Sequence, residues 1–303
     1  DQPVYGVIST AMGVSRLLGY DRETTMNAIS LALAPNMALA QSRNGALSNW
    51  KGCAGANAAR NGVFAAMLAE EGFTGPTAVF EGTGGLYDIL GKFDWPLPDP
   101  KGTHMIELTH IKTLPICFHG QASVSAALEL RGRVPASEIA EVSIDTYDTA
   151  VLMMANDAIR WAPDTHETAD HSLPYCVAIA LLDGEVTAAS FEQHRLSDPV
   201  VLELMKKIKV QATPDINALY PEAAPGRLKV KLKSGATHEL EVRYAKGHAR
   251  NALTDTELEA KYRRIFAEAN RVSQGEAVLA VAWALEKSND VSADLFVLLG
   301  KDA

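Results

Sequence analysis

The period of the hydrophobic pattern changes along this 303-residue chain, and the change limits the folds open to it. From residue 1 to about 92, apolar residues recur at helical spacing, as in the run Val4–Ala11. Later, Val142–Tyr147 and Leu228–Val242 alternate apolar and polar residues with the period of two that is typical of strands. The sequence therefore predicts an all-helical domain followed by a mixed α+β domain, a fold class that is mostly α.

Capping and turn residues mark where several of these elements begin or end. Asp21 is an N-cap signal before a helix over Thr25–Ala34, and Thr254 with Glu257 forms a capping box before a later helix. Ser234-Gly235 marks a hairpin turn inside the second alternating run. Further helices are predicted over residues 57–68, 123–130, 175–182, 200–207 and 275–287.

A loop rich in proline and aspartate, Trp95–Pro100, separates the helical region from the rest of the chain. We place the domain boundary close to Thr113. The predicted domains are a helical domain over residues 1–112, an α+β lid domain over 113–255 and terminal helices over 256–303.

Composition narrows the classes of partner and cofactor. The formal net charge of −9 disfavours nucleic acid, because phosphate binding requires a basic face. No apolar run reaches the ~18 residues of a membrane span, so we expect no membrane partner and a cytoplasmic location. Cys53, Cys117 and Cys176 lack the spacing of disulfide, zinc or iron–sulfur frameworks. The sequence therefore predicts no metal and no other cofactor.

Lys51 is a single cation in the otherwise uncharged run Leu47–Ala59, just before the helix predicted over residues 57–68. The start of a helix favours an anion, so Lys51 is a candidate contact for an anionic substrate. The alternative is a lysine that lays its stem on apolar surface and keeps its ammonium in water. Arg43 is a candidate partner for the same carboxylate, or an exposed loop arginine.

Two histidines are candidates for proton transfer. His171 follows Asp170 at the start of a predicted helix, where a neutral imidazole is favoured; the alternative is a capping and hinge motif. His119 and Gln121 precede another helix, and the alternative for His119 is a buried hydrogen-bonding role. The candidate catalytic residues are Lys51, His119 and His171, and the candidate substrate-binding residues are Arg43, Gln121 and Asp170.

Four blocks of the chain, in order, resemble the MmgE/PrpD family: residues 43–90, Leu114–Gln121, Glu167–Tyr175 and Gly247–Asp255. The resemblance covers essentially the whole chain. It implies that the block at residues 114–121 faces a cleft between the two domains. It also implies that the terminal helices return to the helical domain and that the protein is a homodimer.

The resemblance implies an enzyme that acts on a small tricarboxylate or dicarboxylate without a cofactor. Removing a proton next to a carboxylate creates additional negative charge, so the site needs cations, a base for carbon and an acid for the leaving hydroxyl. Lys51 and Arg43 fit the electrostatic role, and His119 or His171 fits proton transfer.

The branches of the family differ in chemistry. Lys51 matches a lysine that the decarboxylases use, but Cys117 stands where they carry a histidine, and Val151 lies near the position of their tyrosine. Tyr147, the nearest tyrosine, is predicted to lie on another face of its strand. These departures favour a hydro-lyase that dehydrates 2-methylcitrate in propionate catabolism. The alternatives are an epimerase, an isomerase or a decarboxylase of a similar acid.

Members of the family are longer at the N-terminus, where early helices supply a carboxylate and histidine cluster to the active site. This chain begins at Asp1 in a segment that resembles the middle of the family's helical domain. We therefore expect a fragment or a natural truncation, with a non-catalytic homologue as a further alternative. The 303-residue chain by itself is expected to show no turnover, although its second domain folds.

Overall fold

The computed structural model describes most of the chain, namely residues 2–94, 99, 102 and 104–300. Two compact units are present: unit 1 comprises Asp1–Thr103 and Pro115–Arg243, and unit 2 comprises His104–Leu114 and Tyr244–Ala303. Of the predicted loop Trp95–Pro100, all but Asp99 lies outside the described residues. The predicted domain limits, and the return of the terminal helices to the helical domain, stay predictions.

The first part of unit 1 is helical, with α1 at Pro3–Leu18, α2 at Arg22–Leu33, α3 at Trp50–Glu70 and α4 at Leu86–Leu90. The helices α1, α2 and α3 pack against one another around a core of small and branched apolar residues. The predicted N-cap of α2 is confirmed, because the Asp21 carboxylate accepts a hydrogen bond from the backbone N–H of Thr24 at 2.8 Å.

Helix α3 begins at Trp50, well before the start predicted at Asn57. Gly52 and Gly55 lower the helix propensity of this stretch, but Ala54 is buried in the same turns and contributes packing that local propensity does not include. Lys51 therefore lies in the first turn of α3 and not in a loop ahead of it.

Helices α1 and α3 approach each other closely because α3 presents small residues to α1. A Cβ added at Gly62 would lie 2.6 Å from the Thr10 Cβ and 2.8 Å from the Val7 carbonyl oxygen. The buried positions of α3 are Ala54, Ala58, Gly62, Ala65, Ala66 and Ala69. Gly62 thus sets the distance between the two helices.

The rest of unit 1 contains a four-stranded mixed sheet: β1 at Ile139–Thr146, β2 at Ile208–Ala212, β3 at Gly226–Leu232 and β4 at Thr237–Val242. The strand order is β2-β1-β3-β4, with β1 and β2 parallel and the other pairs antiparallel. The predicted hairpin is confirmed, with Gly235 at φ 89° in its turn. β2 was not predicted, because Ile208 is its single buried residue and its pattern is weak.

The described residues of unit 1 form eight further helices: α5 at Gln121–Arg131, α6 at Asp148–Met154, α7 at Ala158–Trp161, α8 at His166–Ala169, α9 at Leu173–Asp183, α10 at Gln193–Leu196, α11 at Pro199–Met205 and α12 at Pro214–Asn217. The helices predicted over residues 123–130, 175–182 and 200–207 are confirmed as α5, α9 and α11. α5 packs on β3 and β4, and α9 packs on α5. α9 is buried over most of its length and forms the centre of this part.

Unit 2 contains α13 at Asp255–Glu268, α14 at Val272–Ala282 and α15 at Val297–Gly300. The predicted capping box of α13 is confirmed, because Thr254 and Glu257 each bond the backbone N–H of the other. α14 is shorter than the helix predicted over residues 275–287, and a separate 3-10 turn covers Leu285–Lys287.

The fold class predicted from the sequence is confirmed, since helices predominate and the strands form a single small mixed sheet among the described residues. Within the same residues, no helix combines the length and the apolar character that crossing a membrane requires.

The close approach of α1 and α3 gives a stability prediction. We expect Gly62→Ala to lower the free energy of unfolding by about 1 to 3 kcal/mol, because the added methyl group overlaps Thr10 and the Val7 carbonyl. Gly55→Ala on the same helix is the control. Its Cβ meets nothing within 4 Å, so it should raise the free energy of unfolding by about 0.5 to 1 kcal/mol. Urea unfolding of the two variants checks this, and equal effects would contradict the packing.

Candidate active site

A buried ion pair joins the helical part of unit 1 to its α+β part. The Lys51 Nζ lies 2.6 Å from Oδ1 and 2.5 Å from Oδ2 of Asp170. The two side chains are 10 % and 14 % exposed. Nearby, the Asn49 amide donates to the Glu167 carboxylate at 2.8 Å. The first turn of α3 is therefore fixed against the segment that connects α8 to α9.

Capping holds that connecting segment in place. Ser172 caps α9 by accepting a hydrogen bond from the Tyr175 N–H at 3.2 Å, and its hydroxyl donates to the Arg160 carbonyl. The Asp170 carbonyl accepts from the Cys117 N–H at 2.9 Å. Asp170 and His171 thus lie at the junction of α8 and α9, where hydrogen bonds hold the backbone on both sides.

His171 is oriented by its neighbour. Its Nδ1 is hydrogen bonded to Oδ1 of Asp170 and lies 3.3 Å from the Lys51 Nζ. Burial disfavours the protonated ring, but the hydrogen bonds with Asp170 and Cys117 outweigh it and raise the pKa of His171. The expectation that the helix start favours the neutral imidazole was therefore wrong, because the hydrogen bonds and charges of Asp170 and Cys117 raise the pKa of His171.

The pKa of Asp170 is shifted in the opposite direction to that of His171. Burial alone would raise the pKa of this carboxyl, but the hydrogen bonds from His171 and Lys51, together with their charges, lower it. Asp170 is therefore ionised and holds two nitrogen groups at once.

His119 lies in a 3-10 turn, Phe118–Gly120, directly before α5. Its Nδ1 is 2.7 Å from the hydroxyl oxygen of Tyr147. Burial lowers the pKa of His119, and the positive charge of His171 lowers it further. The pKa values of the two histidines are thus shifted in opposite directions.

Tyr147 lies at the junction of β1 and α6, and its hydroxyl reaches His119 from there. β1 ends at Thr146, and Tyr147 is the fully buried N-cap residue of α6. Its ring stacks on Tyr220, with centroids 4.5 Å apart and planes 13° apart. The strand predicted over Val142–Tyr147 is confirmed as β1, which ends one residue earlier, at Thr146. That Tyr147 and Tyr220 lie beside His119 was not predicted. The change from a strand to a helix at Tyr147 was the signal in the sequence that could have drawn attention to this residue.

Arg43 and Gln121 contact backbone near the cluster. The Arg43 Nη1 donates to the Lys51 carbonyl at 3.1 Å, and the Gln121 Nε2 donates to the Ile116 carbonyl at 3.4 Å. Arg43 is half-buried at the end of a 3-10 turn, and Gln121 is buried in the first turn of α5. The binding of substrate by these two residues stays a prediction.

Two of the three cysteines are buried close to the cluster. Cys117 interacts with His171, and the Cys176 Sγ donates to the Ala169 carbonyl at 3.4 Å. Burial raises the pKa of Cys176, so this thiol is neutral. Cys53 is exposed. The described residues contain no group of three or more His, Cys, Asp or Glu residues that could hold a metal ion.

The arrangement is suited to proton transfer next to negative charge. His171 has one ring nitrogen held by Asp170, so the other nitrogen, Nε2, is the one that can exchange a proton with a ligand. Lys51 supplies a fixed cation in a largely buried position, where a charge interaction is screened less than in water. His119 places a second ring within electrostatic range of His171.

Comparison with known proteins gives consistent matches. The family model of the MmgE/PrpD N-terminal domain matches residues 1–96, and that of the MmgE/PrpD C-terminal domain matches residues 114–287. The resemblance found in the sequence is thereby confirmed.

Similar curated proteins carry two enzyme names. The 2-methylcitrate dehydratase of Cupriavidus necator is 30 % identical over 300 residues, which cover 91 % of this chain and 59 % of that protein. The 2-methylcitrate dehydratase of Escherichia coli O157:H7 is 31 % identical over 261 residues, covering 80 % and 53 %. The cis-aconitate decarboxylase of Mus musculus is 28 % identical over 301 residues, covering 95 % and 59 %. The chain therefore spans between about half and three-fifths of the length of these relatives.

The charge arrangement predicts how the histidines titrate. We expect Asp170→Asn to lower the pKa of His171, because the variant lacks the carboxylate that favours the imidazolium. The pKa of His119 should rise, because the positive charge on His171 is then lost at a lower pH. Histidine-resolved NMR titration measures both values. Glu167→Gln, which removes a half-buried carboxylate three residues away in the sequence, is the control and should change neither pKa.

Proposed function

The chain belongs to the MmgE/PrpD family, and we propose that it is a lyase for a small di- or tricarboxylate, working without a cofactor, whose reaction is the dehydration of 2-methylcitrate. The observation that carries the proposal is the buried chain of contacts from Lys51 through Asp170 to His171. It combines a fixed cation with an oriented proton-transfer group, and both are required for removing a proton next to a carboxylate.

In the proposed reaction, His171 removes the proton. Asp170 holds Nδ1 of the neutral ring, so Nε2 takes the proton from the carbon next to a substrate carboxylate. The electron pair of the broken C–H bond forms the carbon–carbon double bond as the hydroxyl group leaves. The proton that His171 has taken then passes from Nε2 to the leaving hydroxyl, so the ring is neutral again and the products are water and an unsaturated acid.

Lys51 has two functions in this proposal. Two of its three N–H groups are directed to the two Asp170 oxygens, and the Nζ also lies 3.3 Å from Nδ1 of His171. The ammonium charge acts on a substrate carboxylate placed beside this cluster. The pair with Asp170 also keeps the carboxylate ionised and aligned with His171. The negative charge that develops on the substrate is then stabilised by a cation that is already in position.

The names of the relatives support both dehydration and decarboxylation, so the preference for dehydration rests on the sequence. Cys117 stands where the decarboxylases of the family carry a histidine, and Val151 near the position of their tyrosine. The products distinguish the alternatives: dehydration forms a conjugated double bond, decarboxylation releases carbon dioxide, and epimerisation exchanges a proton without forming a double bond. A non-catalytic homologue would bind the acid and release no product. We also propose that the protein is a cytoplasmic homodimer. Sedimentation velocity tests the oligomeric state.

Removing the Lys51 charge tests the proposed site. We expect Lys51→Met to lower kcat/KM for 2-methylcitrate by an amount equivalent to about 2 to 4 kcal/mol, because the developing charge loses its fixed cation. The assay follows the absorbance of the new conjugated double bond, with protein expressed from its complete reading frame. Lys209→Met removes an exposed lysine of β2 and is the control, with unchanged turnover. Equal turnover of both variants would contradict the assignment of Lys51.

The absence of a cofactor is tested separately. The three cysteines lack the spacing of metal ligands, so we expect the rate of the same reaction to survive exhaustive chelation and dialysis. Loss of activity on chelation, with recovery when a single metal ion is added back, would refute this part of the proposal.

A further inference from the structure

We propose that Tyr147 is a positioning residue that fixes the neutral His119 ring as the tautomer with its proton on Nε2, so that His119 donates a hydrogen bond to the substrate and does not act as the base. The contact that carries the inference is the 2.7 Å hydrogen bond between the Tyr147 hydroxyl and Nδ1 of His119. The role of the His119 N–H group in catalysis rests on the proposed function. The assignment of the His119 tautomer does not depend on it.

The direction of this hydrogen bond follows from burial. Tyr147 is fully buried, and among the described residues its hydroxyl has His119 as its hydrogen-bond partner. If Nδ1–H donated to the phenol oxygen, the hydroxyl proton would be buried without an acceptor, at a cost of about 1 to 3 kcal/mol. If the hydroxyl donates, its proton is satisfied. Burial also raises the pKa of Tyr147, so the hydroxyl keeps this proton.

The position of the hydroxyl is fixed by packing. Tyr147 stacks on Tyr220 and shares a small apolar cluster with Ala150 and Ile216. Its backbone is held as the N-cap residue of α6. A rigid ring aimed at Nδ1 can select one tautomer of the histidine, because the hydroxyl cannot turn its proton elsewhere without losing the contact.

The other ring nitrogen is available to a ligand. Burial and the charge of His171 lower the pKa of His119, so the ring is neutral and carries one proton. Since Nδ1 accepts from Tyr147, that proton is on Nε2. His119 is half-buried, and its Nε2 forms no hydrogen bond with any residue that the structure describes. This nitrogen is also not closed off from solvent, so a ligand can reach it.

The two histidines then have different functions. His171 has Nδ1 bound to Asp170 and carries a lone pair on Nε2 when neutral, which suits a base. His119 presents an N–H and suits the stabilisation of negative charge on a substrate oxygen. A neutral donor is compatible with the positive charges of Lys51 and His171, whereas a third cation in the cluster would be repelled.

Nitrogen-15 NMR of the histidine rings tests the tautomer without any need for turnover. We expect His119 in the unmodified protein to show an unprotonated Nδ1 and a protonated Nε2. In Tyr147→Phe, which keeps the stacked ring and removes the hydroxyl, the tautomers should mix. Tyr175→Phe is the control, since it removes another buried hydroxyl that donates to the Ser190 carbonyl at 2.6 Å. A protonated Nδ1 in the unmodified protein, or an unchanged tautomer in Tyr147→Phe, would overturn the inference.

Kinetics test the role of the donor. With protein from the complete reading frame, Tyr147→Phe should lower kcat about five- to tenfold and leave KM nearly unchanged, while Tyr175→Phe alters neither. An unchanged kcat in Tyr147→Phe would overturn the role of the donor. If the unmodified protein turned over no di- or tricarboxylate, the proposed function would fail, and the NMR result would still decide the tautomer.

Discussion

The buried ion pair between Lys51 and Asp170 is the interaction on which the rest of the candidate site depends. A charge in a largely dehydrated position is costly unless an opposite charge and hydrogen bonds compensate it. Each partner therefore needs the other, and the pair can form only when the first turn of α3 and the α8–α9 connection occupy their observed positions. The same carboxylate orients His171. Folding of the two parts of unit 1 against each other thus creates the charge arrangement that the proposed chemistry uses.

The sequence predicted those elements whose signals are local. The capping residues Asp21 and Thr254 and the turn at Gly235 act within a few residues, so their effects could be identified before any packing was known. The start of α3 and the strand β2 could not, because both depend on contacts with distant elements. Burial of Ala54 extends α3, and pairing with β1 makes a strand of β2.

The candidate site shows the same division. Lys51 was notable in the sequence because it is a lone cation, and His171 because it follows an aspartate at a helix start. Their contact, across 120 residues of chain, could not be derived from either segment. The pKa of His171 is raised by Asp170, the preceding residue, and by Cys117 from a distant segment, and the effect of Cys117 could not be derived from the local sequence. The hydrogen bond between Tyr147 and His119 likewise joins residues 28 positions apart, so neither segment alone predicts it.

The tight crossing of α1 and α3 at Gly62 has a consequence for the precision of the site. Lys51 and Gly62 lie on the same helix, and at a rise of about 1.5 Å per residue the crossing point is about 16 Å from the lysine. If α3 tilts as a rigid helix about the crossing point, a tilt of about 5° displaces the first turn, which carries the ammonium, by about 1.4 Å. Displacements of about 1 Å in a reacting group are enough to reduce a rate about a hundredfold. Gly62 has no chemical function of its own, but the close helix crossing that it permits determines how accurately Lys51, at the other end of α3, is placed.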